Sequence, residues 1–197
     1  MTKVLNIITS PRGAASYSNK LGSAVIEKIK TEYPGVEVIT RDLSSSPLPQ
    51  LNAAYIEAFS TPLANHTALH KQATQASDEA IKQLLDVDVI VMNVAMWNFG
   101  IPSSLKAWID QIARVGITFN YSEKGVVGLI PNKKVFVAMA SGGVYTTAPY
   151  HTSDFVDPYL KFMLNFLGIT DITTHRVEGL GIPGIKDTAF EKALKSI

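Results

Sequence analysis

The sequence predicts an α/β fold: a five-stranded parallel sheet with helices on both faces. Three observations lead there. Residues 87–94, VDVIVMNV, form an apolar run broken only by Asp88 and Asn93, which suits a strand buried on both faces. Five such apolar segments alternate with segments of helical period, the pattern of a sheet wrapped by crossover helices. Finally, residues 95–112 pass from that strand through an irregular loop with two large aromatics and an amide into a helix restarted at Pro102. A proline in a first helical turn costs little, because that N–H has no helical partner. Such strand–loop–helix junctions build ligand sites at the carboxyl ends of α/β sheets.

Taken in order, residues 3–8 read as the first strand and residues 9–17, TSPRGAASY, as a polar loop. Ser16 or Ser18 is placed to cap the helix that follows, since a short side-chain oxygen satisfies free N–H groups there. That helix carries Leu21, Val25, Ile26 and Ile29 on one face and ends near Pro34-Gly35. Residues 36–42 alternate as a second strand. Residues 43–61, with three serines followed by Pro47 and Pro49, read as a long loop. A polar helix is expected over 66–85, with Leu69, Ala73, Ala76, Ala80 and Leu84 facing inward. After the third strand, Leu105, Trp108, Ile109 and Ile112 mark the buried face of the next helix. Residues 118–129 suggest an irregular excursion or hairpin. Residues 134–140 form a fourth strand, and Gly142-Gly143 opens a polar loop to about residue 152. An apolar helix over 156–167, a fifth strand over 172–178, a Gly/Pro turn and a last helix over 187–197 complete the chain. The crossovers are expected to be right-handed.

With 197 residues, 46% of them hydrophobic, the chain has ample core for one domain, assigned to residues 1–197. A formal charge of +1 gives no basic field for nucleic acid and no acidic face for a cationic partner. The chain lacks cysteine, which excludes thiolate catalysis and disulfides and points to a reducing, cytoplasmic setting. No apolar run approaches the roughly 20 residues of a membrane helix, and the amino-terminal residues lack the pattern of a signal peptide.

The loop Ser10-Pro11-Arg12-Gly13-Ala14-Ala15-Ser16-Tyr17-Ser18-Asn19 follows one strand and opens one helix. Free N–H groups and the positive end of the helix dipole favour a phosphate there. Three serines and Asn19 add donors, and Arg12 adds charge. The loop has neither the Gly-Lys-Ser/Thr of a Walker loop nor the spaced glycines of a dinucleotide fingerprint. It suits a terminal phosphate monoester, with an ordinary capped turn as the alternative. Residues 179–184, GLGIPG, match a GxGxxG spacing. Only 13 residues follow, and Pro183 stands where the helix should begin, so this reads as a turn. His66 and His70 have the i, i+4 spacing of metal ligands but lack a third partner, so no metal is assigned. No GxSxG elbow supports a hydrolase serine. In the loop Met96-Trp97-Asn98-Phe99, an indole and a thioether could flank a planar ring while main-chain N–H groups meet its heteroatoms. The loops after strands one, three and four open on one rim.

Several of these residues together resemble a family. Ser10-Pro11-Arg12 with Ser16-Tyr17-Ser18 and Leu21, then Met96-Trp97-Asn98-Phe99, Pro102, Leu105-Lys106, Asp110 and Gly116-Ile117-Thr118-Phe119 are similar to the FMN-dependent NADH azoreductases, which are also NADH:quinone oxidoreductases. The resemblance spans the chain. It implies a flavodoxin-like fold with strand order 2-1-3-4-5 and FMN at the switch point. It implies NADH as electron donor, quinones and aromatic azo compounds as substrates, and a homodimer with an active site at each subunit interface. By the same likeness Ser10, Ser16, Tyr17 and Ser18 hold the phosphate and Met96, Trp97, Asn98 and Phe99 the isoalloxazine. Ala140, Ser141, Gly142 and Gly143 meet its pyrimidine side, while Tyr121 and Phe166 lie near the substrate. Ala95 stands where the family usually has proline, and Ser141 where it often has arginine. No side chain is assigned a proton-transfer role, because the flavin carries the hydride. The alternative function is a flavodoxin-type electron carrier; the near-neutral charge argues against it, since a carrier usually has a strong acidic field.

Overall fold

The computed structural model describes residues 2–197. Its main sheet is formed by β1 (Lys3–Ile8), β2 (Glu37–Asp42), β3 (Val89–Ala95), β6 (Lys134–Ala140) and β7 (Asp171–Val177). All pairings are parallel, in the order β2-β1-β3-β6-β7. Counting only the strands of this sheet, that is the expected 2-1-3-4-5. The remaining strands, β4 (Phe119–Ser122) and β5 (Gly125–Gly128), form a separate antiparallel hairpin, where the sequence pointed to an excursion or hairpin.

Strand alternation shows why both faces are covered. From β3, Ile90, Met92 and Val94 join the larger core, with α3 (Ala68–Leu85), α4 (Ser103–Ile112) and α5 (Asp157–Phe166). Val89 and Val91 point the other way and pack with Val25, Ile26 and Ile29 of α1 (Tyr17–Glu32). Further along that second face, Ala138 and Ala140 of β6 meet α1 and α6 (Lys186–Leu194). Each fully buried aliphatic side chain contributes about 1.5–3 kcal/mol against exposure, so the central strand is the strongest element of the core.

Helix α1 sits unusually close to the sheet. A Cβ built on Gly22 would lie 1.5 Å from Asn93 Oδ1, so only glycine fits above that asparagine. The Asn93 side chain donates to Asn6 Oδ1 at 2.6 Å and to Ile7 O at 2.8 Å. Thr9 Oγ1 donates to Asn93 O at 2.7 Å. A polar residue inside an apolar strand thus ties the carboxyl ends of β1 and β3, two of the strands whose loops line the cleft described below.

The structure corrects three expectations. Residues 43–61 are not all loop: Ala53–Ser60 form α2, capped by Asn52, whose Oδ1 accepts from the N–H groups of Ala54 and Tyr55 at 3.0 and 3.3 Å. Helix α3 begins at Ala68, with Thr67 as its cap, so His66 precedes it. Its inner face is Thr74, Ser77, Ala80, Ile81 and Leu84, while Leu69 is 74% exposed. Buried hydroxyls shift the face: Ser77 Oγ donates to Gln111 O at 2.5 Å and accepts from Arg114 at 3.2 Å. The two histidines have terminal duties. His70 Nδ1 accepts the Thr67 N–H in a capping box, and His66 Nε2 lies 3.0 Å from both Ala58 O and Thr61 O.

Candidate functional site

Four loops, after β1, β3, β6 and β7, meet at the carboxyl edge of the sheet, around a cleft of about 310 Å³ lined by Ser10, Arg12, Ser16, Tyr17, Ala95, Met96, Trp97, Ala140, Ser141, Gly142, Leu180 and Gly181. Eight of the residues singled out from sequence lie together here: Ser10, Ser16, Tyr17, Met96, Trp97, Ala140, Ser141 and Gly142.

One end is built for an anion. Ser16 caps α1, its Oγ accepting from Asn19 N–H at 3.4 Å, and lies 3.0 Å from Ser18 Oγ. Ser18 is fully buried and therefore steadies the Ser16 hydroxyl from behind. Asn19 Nδ2 donates to Gly13 O at 3.0 Å, folding the loop back on its helix. The main-chain N–H groups of Tyr17 and Ser18 have no acceptor among the described residues, and no acidic residue lies in the first turn of α1. Free N–H groups at a helix start and the adjacent Arg12 favour negative charge.

The other end is flat and apolar. The Met96 N–H donates to Ala140 O at 2.9 Å, and Trp97 and Gly100 exchange hydrogen bonds at 3.0 Å. That closed turn presents Trp97 at 48% and Phe99 at 50% exposure, high values for such apolar side chains next to a cleft. Asn98 and Phe99 have φ of 47° and 68°, a left-handed pair without glycine, uncommon and costing of order 1–3 kcal/mol each. The N–H groups of Asn98, Phe99, Gly142 and Gly143 have no protein acceptor among the described residues. A Cβ on Gly142 would meet nothing within 4 Å, so the opposite wall stands open to a ligand's edge.

Asn98, Phe99 and Gly143 lie beside the cleft. Phe99 turns toward Tyr145, and the Gly143 carbonyl accepts from Gly179 N–H and Ser141 Oγ, both at 2.9 Å. Tyr121 and Phe166 do not line the cleft; they flank Phe119 at ring-centroid distances of 5.6 and 4.5 Å, where the β4–β5 hairpin meets the carboxyl end of α5. Sequence reasoning missed Leu180 and Gly181, named Ala95 only as a departure from the family pattern, and treated Arg12 only as a nearby charge. The signal for Gly181 was the GLG spacing itself: its N–H donates to Gly142 O at 2.9 Å, and an added Cβ would lie 3.3 Å from that oxygen. The turn backs the cleft wall. Among the described residues no group of three or more His, Cys, Asp or Glu is arranged to hold a metal, and no helix is long and apolar enough to cross a membrane.

Comparison with known proteins agrees with this architecture. Residues 2–197 match the family described as having a flavodoxin-like fold. The FMN-dependent NADH:quinone oxidoreductase of Beijerinckia indica is 42% identical over 197 residues, covering 100% of this chain and 98% of that protein. FMN-dependent NADH:quinone oxidoreductase 1 of Rhizobium etli is 45% identical over 194 residues, covering 98% of this chain and 93% of its own length. The crystal structure of an azoreductase from Bacillus anthracis superposes with a TM-score of 0.92 at 30% identity, covering 100% of this chain and 96% of that one. An FMN-dependent NADH-azoreductase from the same species, solved in complex with FMN, gives 0.87 at 28% identity, covering 100% and 97%. The chain described here therefore belongs to the flavodoxin-like fold family and, within it, to the FMN-dependent NADH:quinone oxidoreductases.

Proposed function

We propose that this protein reduces quinones and aromatic azo compounds with NADH by a ping-pong sequence, the two substrates occupying one cleft in turn. It is an oxidoreductase, and its cofactor is FMN. The observation that carries the reading is the polarity of the cleft: phosphate donors at one end, an exposed apolar loop at the other. The residues present fit a flavin mononucleotide. Ser10, Ser16, the Tyr17 and Ser18 N–H groups and Arg12 would hold a terminal phosphate, and Ser18 would fix the Ser16 hydroxyl. Met96 to Phe99 would flank the ring, with Ala140, Ser141, Gly142 and Gly143 along its polar edge. Bound FMN would supply the two-electron hydride chemistry that links NADH to the oxidised substrate. The protein's own residues would orient the ring and exclude water, and the N–H groups of Asn98, Phe99, Gly142 and Gly143, which have no acceptor among the described residues, would meet negative charge on it. A quinone needs one such cycle and an azo bond two.

Residues 1–197 form one FMN-binding domain in this reading, working in the cytoplasm, with no nucleic-acid partner. The active assembly is a homodimer. Phe155 and Phe162 lie largely exposed on and just before α5, an apolar face suited to a second copy. Tyr121 and Phe166, which do not line the cleft of their own chain, would serve as substrate-face residues by facing the cleft of the other copy. The purified protein should be yellow, bleach with NADH without air, and recover its colour on adding a quinone. A colourless protein that takes up no FMN on reconstitution would sink the reading.

A further inference from the structure

The Asn98–Phe99 pair raises a physical question: what holds a costly left-handed turn in place? Such conformations persist only where the surroundings over-determine them. Both ends of one segment, residues 145–155, rest on Phe99. The Tyr145 ring meets the Phe99 ring edge-on at 6.2 Å, and the Phe155 N–H donates to Phe99 O at 3.2 Å.

That segment is in turn anchored at both ends to one side chain. Near its start, Glu178 Oε1 accepts from the Tyr145 N–H at 2.9 Å and Glu178 Oε2 from the Thr146 hydroxyl at 2.6 Å. At its end, Asp154 Oδ1 accepts from the N–H groups of Val156 and Asp157 at 2.9 and 3.1 Å, fixing the entry to α5. Between them stands Arg176 on β7. Its Nη2 lies 2.8 Å from Asp154 Oδ2 and 2.9 Å from Asp157 Oδ2, and its Nη1 lies 3.5 Å from Glu178 Oε1. The Arg176 side chain is 15% exposed, so these charges interact more strongly than they would in water. Asp157 also accepts from Thr174 at 2.5 Å and Lys161 at 2.9 Å. A planar guanidinium sets Nη2 between Asp154 and Asp157 while Nη1 faces Glu178; a lysine in its place offers a single point charge.

We propose that Arg176 is a positioning residue for the 96–99 loop, acting through Glu178, Asp154 and the 145–155 segment to fix Phe99 and with it the face that Trp97 presents to the flavin. The proposal rests on the reading that this loop flanks FMN. A purely structural role, pinning the edge strand β7 to α5, would use the same contacts but leave the flavin loop unchanged when the contacts weaken.

The test compares Arg176→Lys and Glu178→Gln with Ile29→Val, a core change under the other face of the sheet. Three quantities are measured: melting temperature, FMN release on dilution of the holoprotein, and iodide quenching of tryptophan emission without flavin turnover. Iodide reports Trp97, because Trp108 is 1% exposed. Arg176→Lys and Glu178→Gln should weaken FMN retention about tenfold, the scale of a displaced positioning element, and raise iodide quenching, while Ile29→Val leaves both at the wild-type value despite its lower melting temperature. Should Arg176→Lys fail to fold, Glu178→Gln, which keeps an oxygen to accept from the Tyr145 N–H but loses the charge and the second acceptor, that of the Thr146 hydroxyl, decides alone. Unchanged retention and quenching in the foldable variants would overturn the proposal. If wild type binds no FMN, the flavin reading fails, and the iodide result still decides whether Arg176 sets the loop.

Discussion

The loop after β1 and the loop after β3 face each other across one cleft but are held by opposite strategies. The first is held from within. Ser16 caps its own helix, Ser18 and Asn19 bond back into the loop, and Gly22 seats α1 directly on Asn93. The second has few contacts of its own beyond the Trp97–Gly100 exchange. Of its two left-handed residues, Phe99 is held from outside, by Tyr145 and Phe155, and these by Glu178, Asp154 and Arg176. The difference matches the tasks proposed for the two loops. A phosphate needs fixed donors, which a capped helix start provides locally. A planar ring and exchanging substrates need an exposed apolar face, which cannot bury itself and must be propped by neighbours.

The first strategy breaks most completely at Gly22. Gly22→Ala should cost about 3 kcal/mol in urea unfolding, the upper range for overpacking a fitted core, because the new carbon collides with Asn93. Adding Asn93→Ala should recover part of that loss, a coupling that independent sites would not show. Simple addition of the two losses would place the strain elsewhere.

Next in size, Ser16→Ala with Ser18→Ala should weaken FMN binding by about 1–3 kcal/mol, at about 0.5–1.5 for each net hydrogen bond. Part of any stability loss comes from the missing helix cap. Unchanged FMN affinity by fluorescence titration would put the phosphate elsewhere.

The outer support carries a smaller, pH-dependent signature. Burial alone would raise the Asp157 carboxyl, but hydrogen bonds from Thr174 and Lys161 and the Arg176 charge outweigh it and hold it below the ordinary range. A carboxyl depressed in the folded state adds stability above its unfolded value of about 3.9, and that stability is lost as pH falls through the lower folded value. Asp157→Asn should therefore flatten the fall of stability below about pH 4. An acid limb as steep as wild type would show that the carboxylate is not engaged.

How much of this was legible in the sequence follows from how each part is held. The β1–α1 loop was readable because its reasons are local: serines at cap positions and a strand just before them. The Met96–Phe99 loop was found by composition and position, but its support was not, since Arg176, Glu178 and Asp154 meet only through folding. Periodicity placed the strands well, because β3 is apolar on both faces. It failed at α2, where Pro47, Pro49 and three serines masked a helix that starts only after the Asn52 cap. It also misread the inner face of α3, where Thr74 and Ser77 are buried because Asp78, Gln111 and Arg114 offer partners that no pattern of hydrophobicity reveals. Tyr121 and Phe166 came from family likeness, and in a single chain they group around Phe119.

The smallest substitution effect is expected at Trp97 itself. Trp97→Phe keeps an apolar ring on an exposed loop, so folding should survive, FMN affinity should fall by less than about 1 kcal/mol, and turnover of bulky aromatic substrates should change more than reduction by NADH. Equal changes in both half-reactions, followed by stopped-flow absorbance, would mean that Trp97 shapes flavin reduction as well as substrate choice.

The central claim is that the flavin ring packs beside the Met96–Phe99 loop, and flavin-induced quenching of tryptophan fluorescence tests it most directly. Emission is measured with and without FMN in wild type, Trp97→Phe and Trp108→Phe. The account predicts strong quenching in wild type and in Trp108→Phe, and a clearly smaller effect in Trp97→Phe, where only the buried indole of α4 remains. Quenching that survives intact without Trp97 and vanishes without Trp108 would contradict it and move the ring away from this loop.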